Sequence, residues 1–145
     1  MANYYPGAKY VDWLGLSVYG KMLHGEDWSS FSNVMDHSYQ EICQLDPKKP
    51  VIVAEWGVGE FPPDDKGAFI TKAFADMQTR YPRVKAAVYW HERWENTDGS
   101  YSNLRVNSSP GALDAYRKGV ADPYWIDRPQ FQLRQKTGQP LAHGK

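Results

Sequence analysis

Three short apolar segments, each followed by an amphipathic helix pattern, constrain the fold of this chain more than any other feature. The segments are residues 10–19, 50–58 and 84–90. The second and third are nearly continuous runs of Val, Ile, Ala and aromatic residues, which is typical of strands buried on both faces of a parallel sheet. Strands that alternate with helices at intervals of roughly 30 to 40 residues predict right-handed crossovers and an α/β fold.

One helix is predicted after each strand, and its ends follow from capping residues. Ser32 or Asn33 caps the first helix, which runs to about residue 45. The second covers about 66–80. The third begins at Ser109-Pro110, a serine cap with proline in the first helical position, and ends at Gly119. Three such units suffice for an open α/β layer or for part of a barrel, but 145 residues are too few for a complete (β/α)₈ barrel of roughly 250 residues.

The last part of the chain differs from the rest. We predict a domain over residues 1–121 and an extended tail over 122–145, because the tail is rich in Pro, Gln and Arg and has little periodicity. Tyr124, Trp125, Ile126 and Phe131 are the apolar residues that would pack this tail on the domain or on a neighbouring subunit.

Composition excludes several classes of partner. The 17 acidic and 17 basic side chains leave no net charge, which argues against nucleic acid as a partner. No apolar run is long enough to span a membrane, and the N-terminus shows no signal peptide, so the localisation stays open. The single cysteine, Cys43, excludes an internal disulfide and is expected in the core. We predict no metal and no cofactor, since His24 and His91 lie on different loops without ligand spacing.

Glu55 stands out because it interrupts an apolar strand near its carboxyl end. A carboxylate there is costly unless it is paired or serves chemistry, and both alternatives stay open from the residues alone. The loops that follow the three strands are long and rich in Trp, Asp, Glu, His and Asn, whereas those at the opposite ends are short. This asymmetry is typical of an α/β enzyme face. The aromatic fraction of 14% is explained by core filling, by a sugar-stacking surface at the strand ends, or by both.

Three strings carry a family resemblance: YYPGAKYVDWLGLSVYG from residue 4, KPVIVAEWGVGE from residue 49 and VKAAVYWHERW from residue 84. Over about residues 4–120 the chain resembles the C-terminal part of a (β/α)₈-barrel glycoside hydrolase. It is most similar to the mannanase-type enzymes of glycoside hydrolase family 26 or to a relative in the same clan. The resemblance implies an α/β, partial (β/α) barrel of about three parallel βα units that correspond to the sixth, seventh and eighth barrel strands.

The resemblance also implies functional residues. Glu55 matches the catalytic nucleophile, Tyr19 a position near that carboxylate, and Trp90 an aromatic platform. The residues expected to bind substrate are Tyr19, Trp56, Trp90, His91, Glu92 and Trp94. The implied substrate is an oligosaccharide or polysaccharide with β linkages, mannan or glucan.

The acid/base of this clan follows the fourth strand, before the part of the barrel that this chain matches. Glu60, Glu92 or a loop histidine is the alternative within the chain. Three interpretations follow: an active hydrolase, a non-catalytic carbohydrate-binding module, and an assembly module. Because a slice of a barrel exposes sheet edges, we expect a homodimer or a separately encoded partner that supplies the other barrel half.

Overall fold

The computed structural model describes residues 1–126 and 128. A 3₁₀ turn at Ala2–Tyr4 precedes the strands and helices, which are, in chain order, β1 Leu14–Tyr19, α1 Phe31–Leu45, β2 Val51–Gly57, α2 Lys66–Thr79, β3 Val84–Tyr89, β4 Arg93–Glu95, β5 Tyr101–Asn103 and α3 Pro110–Val120. No helix in this described part is long and apolar enough to cross a membrane.

Strands β1, β2 and β3 form one parallel sheet in that order. Each strand is followed by a helix, which confirms the predicted α/β class with three parallel βα units. β1 buries Leu14, Leu16 and Val18 against the helices and leaves Gly15 and Ser17 exposed on the other side. This alternation divides the sheet into a helix-covered face and an open face.

The core lies between the sheet and the helices. Phe31 and Met35 of α1 and Ile70 and Met77 of α2 are inaccessible to solvent. They meet the buried strand residues in one apolar cluster, which Cys43 joins at its margin. Burial of such side chains contributes roughly 1.5–3 kcal/mol each to folding, so the helices hold the strand ends in fixed positions.

A register shift in β2 decides which way the strand's side chains point. Leu16 pairs with Val53, but the next residue, Ser17, pairs with Glu55. The extra residue, Ala54, has the geometry of a β-bulge, which re-aims the side chains that follow it. If side chains alternated strictly after the buried Val53, Glu55 would point toward the helices. Because of the extra residue, Trp56 is buried against the helices instead, and Glu55 lies on the open face.

The structure differs from the sequence predictions by more than one residue in three places. β1 begins at Leu14 instead of residue 10, since a turn occupies residues 8–10. Ser30 caps α1 by accepting from Asn33 N at 3.3 Å, so the predicted cap at Ser32 or Asn33 was two or three residues too late. The antiparallel hairpin of β4 and β5 lies in a segment that was predicted to be a loop.

The predicted tail is described through Ile126 and at residue 128. The Trp125 ring packs edge-on against Phe74 of α2, with 5.7 Å between ring centroids. Tyr124 and Ile126, two further predicted anchors, are 44% and 66% exposed, and Phe131 lies outside the described residues.

Candidate functional site

Three loops meet at the carboxyl ends of the parallel strands: residues 20–30, 58–65 and 90–109. Lys21 forms an ion pair with Asp64 at 3.1 Å, which joins the first loop to the second. The Ser102 hydroxyl donates to the Met22 carbonyl oxygen at 2.7 Å, which joins the third loop to the first. Direct bonds between all three segments give this end of the sheet a defined surface.

Glu55 lies half-buried on the open face, close to this surface. The Tyr19 hydroxyl donates to its Oε2 at 3.0 Å, and the Ser17 hydroxyl donates to the same oxygen at 3.3 Å. Ser17 and Tyr19 are two residues apart on β1, so their side chains share one face. Among the predicted site residues, the structure therefore brings Tyr19 and Glu55 into direct contact.

The environment of Tyr19 keeps its hydroxyl a donor. Burial, followed by the hydrogen bond to Glu55 and the negative charge of that carboxylate, raises the pKa of Tyr19 to about 12. The phenol therefore stays protonated at neutral pH and holds Oε2 in place. Both hydrogen bonds that the described residues donate to Glu55 are on Oε2, which leaves Oε1 available to a substrate.

The structure overturns one predicted substrate contact, Trp56. This side chain is only 1% exposed. Its ring packs edge-on against Phe31, Phe74 and Tyr89, with centroids 5.9, 5.3 and 4.8 Å away. Since Trp56 follows Glu55 in the strand, it points to the opposite face, into the core, where a sugar cannot reach it.

Trp90 follows β3 and remains accessible, with 40% of its side chain exposed. Its backbone amide donates to the Trp56 carbonyl oxygen at 2.8 Å, which extends the ladder by one residue beyond the strand. Tyr89 turns toward the core and contacts Trp56, so Trp90 turns to the other face by alternation. Its ring therefore lies on the open face of the sheet.

The remaining predicted contacts lie on the third loop. His91 is exposed and its Nδ1 accepts from the Val106 amide at 3.1 Å, so this histidine organises the loop. Glu92 is exposed, and its carboxylate accepts from the amide of Arg93. Trp94 is half-buried and donates from Nε1 to the Asn96 side chain at 3.1 Å. It pairs across the hairpin with the buried Ser102, so it lies on the side that faces the protein.

Glu60 is engaged by another hydrogen-bond network. Its carboxylate accepts from the Ser108 hydroxyl at 2.5 Å, and that hydroxyl accepts from the Lys66 ammonium at 2.9 Å. His24 is exposed and packs edge-on against Phe61 with 4.8 Å between centroids. In the described part of the chain, the contacts of Glu60 and His24 are therefore with Ser108 and Phe61.

Sequence reasoning missed Ser17 and Lys66. Ser17 was detectable, because period-two alternation from Tyr19 places it on the same face. Lys66 carries no comparable signal, since its partners are distant in sequence. Within the described part of the chain, no group of three or more His, Cys, Asp or Glu side chains has the arrangement of a metal site.

Comparison with known proteins relates the chain to a glycoside hydrolase through sequence. No family model matches the chain. Endoglucanase H of Acetivibrio thermocellus is 36% identical over 121 residues, which cover 81% of this chain and 12% of that protein. The chain therefore spans about an eighth of this curated relative, and the match relates it to a segment of a glycoside hydrolase.

A solved structure is also similar. The crystal structure of a GH128 (subgroup VI) exo-beta-1,3-glucanase from Aureobasidium namibiae matches with a TM-score of 0.44 and 22% identity, covering 70% of this chain and 34% of that one. This likeness is too distant to support an argument about the fold or the activity.

Proposed function

We propose that the chain contributes a nucleophile and a sugar platform to a site that hydrolyses β-linked glucan. The observation that carries this proposal is the Glu55 carboxylate held by Ser17 and Tyr19 at the carboxyl end of a parallel sheet. The name of the relative, an endoglucanase, favours glucan over mannan as the substrate. The sequence resemblance to glycoside hydrolase family 26 keeps mannan as the alternative.

Each site residue has a role in this proposal. Glu55 Oε1 attacks the anomeric carbon, a glycosyl–enzyme ester forms, and the bond to the leaving oxygen breaks with its electron pair on that oxygen. Tyr19 and Ser17 hold Oε2 and so orient the attacking oxygen. Trp90 stacks on the sugar face, while His91, Glu92 and Trp94 form the adjacent loop.

The leaving oxygen requires a proton from a second carboxylate, which lies about 5–5.5 Å from the nucleophile in retaining glycosidases. Glu60 is engaged by Ser108, and Glu92 contacts its own loop. We therefore assign the acid/base to a part of the barrel beyond this segment. That part belongs to a longer protein or to a separately encoded partner.

The unpaired edges and the open face of the sheet also favour association with a partner. Among the described residues, β1 and β3 each pair with β2 alone, so each has a free edge. The open face exposes Val88 by 52% and Trp90 by 40%. Unpaired edges and apolar faces favour association, so we propose that the isolated chain forms a homodimer or binds a separate barrel half. Sedimentation of a folded monomer at micromolar concentration, with no partner present, would contradict this assignment.

An activated substrate tests the nucleophile separately from the missing acid. Dinitrophenolate leaves without protonation, so dinitrophenyl β-cellobioside should release dinitrophenol in the presence of the isolated chain. Glu55→Gln should reduce this release to the background rate, whereas Glu41→Gln, on helix α1 where Glu41 pairs with His37, should change it little. Equal release by wild type and Glu55→Gln would refute the proposal. Dinitrophenyl β-mannobioside run in parallel distinguishes mannan from glucan.

A non-catalytic carbohydrate-binding role is the second candidate, and the exposed Trp90 ring favours it. Titration with cello-oligosaccharides should then change tryptophan fluorescence without any turnover of the activated substrate. Trp90→Ala should abolish that change. Trp13→Ala is the matched control, because Trp13 is 46% exposed but precedes β1 at the opposite end of the sheet.

A further inference from the structure

Lys66 is a buried lysine for which the proposed chemistry gives no direct use. Its side chain is 1% exposed although it occupies the first position of α2. A positive charge there faces the positive end of the helix dipole, and burial lowers the pKa of Lys66 to about 8. A side chain in such an unfavourable place needs compensating contacts.

The three ammonium protons each have an acceptor. Nζ donates to the carbonyl oxygens of Asn103 and Arg105 at 3.0 and 2.8 Å, and to the Ser108 hydroxyl at 2.9 Å. Ser108 then donates to the Glu60 carboxylate at 2.5 Å. An ammonium can only donate and a carboxylate can only accept, so the Ser108 hydroxyl accepts from Lys66 and donates to Glu60.

These acceptors lie on the segment that supports the predicted sugar contacts. Between Asn103 and Arg105, Leu104 is fully buried. Its amide donates to the Glu92 carbonyl oxygen at 2.9 Å, and its own carbonyl oxygen accepts from the Tyr89 hydroxyl at 2.7 Å. Two residues after Leu104, the Val106 amide donates to His91. Lys66 therefore binds the loop on both sides of its buried anchor.

We propose that Lys66 is a positioning residue that holds the loop over residues 90–109 against the start of α2 and the segment that follows β2, and so sets the sugar contacts relative to Glu55. The role in sugar binding rests on the proposed function. Lys66 does not itself touch the sugar. It acts through the backbone of Asn103 and Arg105.

Amide hydrogen exchange on the full chain tests the hold on the loop without reference to sugar. In Lys66→Met, the amides of Leu104 and Val106 should exchange at least about tenfold faster, while the amide of Val51, bonded to the Arg83 carbonyl oxygen in the sheet, should keep its wild-type rate. Lys118→Met is the matched control, since Lys118 is 76% exposed and pairs with Asp114 in α3. Unchanged exchange at Leu104 and Val106, or equal acceleration at Val51, would overturn the proposal.

A second variant keeps the test decisive if Lys66→Met fails to fold. Ser108→Ala removes the link to Glu60 and leaves both carbonyl contacts, so it should accelerate the same two amides by a smaller factor. No acceleration in Ser108→Ala would then count against the network.

The sugar readout is the dissociation constant for a cello-oligosaccharide. Lys66→Met should raise this dissociation constant at least about fivefold, and Lys118→Met should leave it unchanged. Unaltered affinity in a Lys66→Met protein whose loop exchanges faster would refute the positioning role. If wild type binds no cello-oligosaccharide, the proposed function fails and the role in sugar binding fails with it, while the exchange rates still decide whether Lys66 holds the loop.

Discussion

The contact between Tyr19 and Glu55 predicts a titration that reports directly on whether the site is assembled. The pKa of Tyr19 is raised to about 12, mainly by burial and further by the hydrogen bond and charge of Glu55. In Glu55→Gln the charge is lost and burial remains. We therefore expect the pKa of Tyr19 to fall by roughly half a unit to one unit, which corresponds to about 0.7–1.4 kcal/mol, and to stay above 10.

Carbon-13 labelling at the tyrosine ring and detection by NMR gives one titration for each of the ten tyrosines. Tyr19→Phe assigns the signal. Tyr81 is the internal control, because its hydroxyl donates to Asp36 at 2.7 Å and its pKa is also raised, by burial and by that carboxylate. Glu55→Gln should leave Tyr81 unchanged, and Asp36→Asn should lower the pKa of Tyr81 alone. An unchanged Tyr19 titration in Glu55→Gln would refute the contact.

Two further predictions concern stability. A Cβ added at Gly20 would lie 2.8 Å from Phe69 and 2.9 Å from Val58, so Gly20→Ala should lower the free energy of unfolding by about 1–3 kcal/mol. Gly25→Ala is the control, because a Cβ added at Gly25 meets no atom within 4 Å. Equal urea midpoints for the two variants would contradict this packing. The folded pKa of Lys66, about 8, is below its ordinary value of 10.5, so between these values the unfolded chain holds more protons and stability rises with pH. From pH 8 to 9.5 the free energy of unfolding, measured by urea denaturation, should rise by about 1.6 kcal/mol. Lys66→Met should lack this rise, and parallel pH profiles would show that the pKa of Lys66 is not lowered in the folded protein.

Much of the fold is predictable because it depends on local pattern. The buried runs around Val53 and Val84 specify strands, and the serine–proline cap at Ser109 marks a helix start that the structure confirms. The β4–β5 hairpin is not predictable in this way. Its strands have three residues each, which is too few for a periodic signal. A hydrogen bond from Ser102 to the distant Met22 carbonyl oxygen holds the hairpin against the first loop.

The contact between Tyr19 and Glu55 was predicted from the family resemblance and not from the strand pattern. The register explains it in the structure, because Ser17 pairs with Glu55 and Tyr19 lies two residues further along the same face. The prediction that Trp56 contacts substrate was wrong, since neighbouring residues in a strand point to opposite faces and Trp56 directly follows Glu55. The Lys66 network escaped because its acceptors are backbone carbonyls some 40 residues away, whose positions no pattern in the sequence reveals.

Covalent trapping tests the central claim, that Glu55 is the nucleophile of a β-glucan site, most directly. Dinitrophenyl 2-deoxy-2-fluoro-β-cellobioside carries a leaving group that needs no acid and forms a slowly hydrolysed glycosyl–enzyme ester. Mass spectrometry of the treated chain should show one added fluorocellobiosyl group, and peptide mapping should place it on Glu55. Glu55→Gln should stay unlabelled. An unlabelled wild type, or a label on any other carboxylate, would contradict the account.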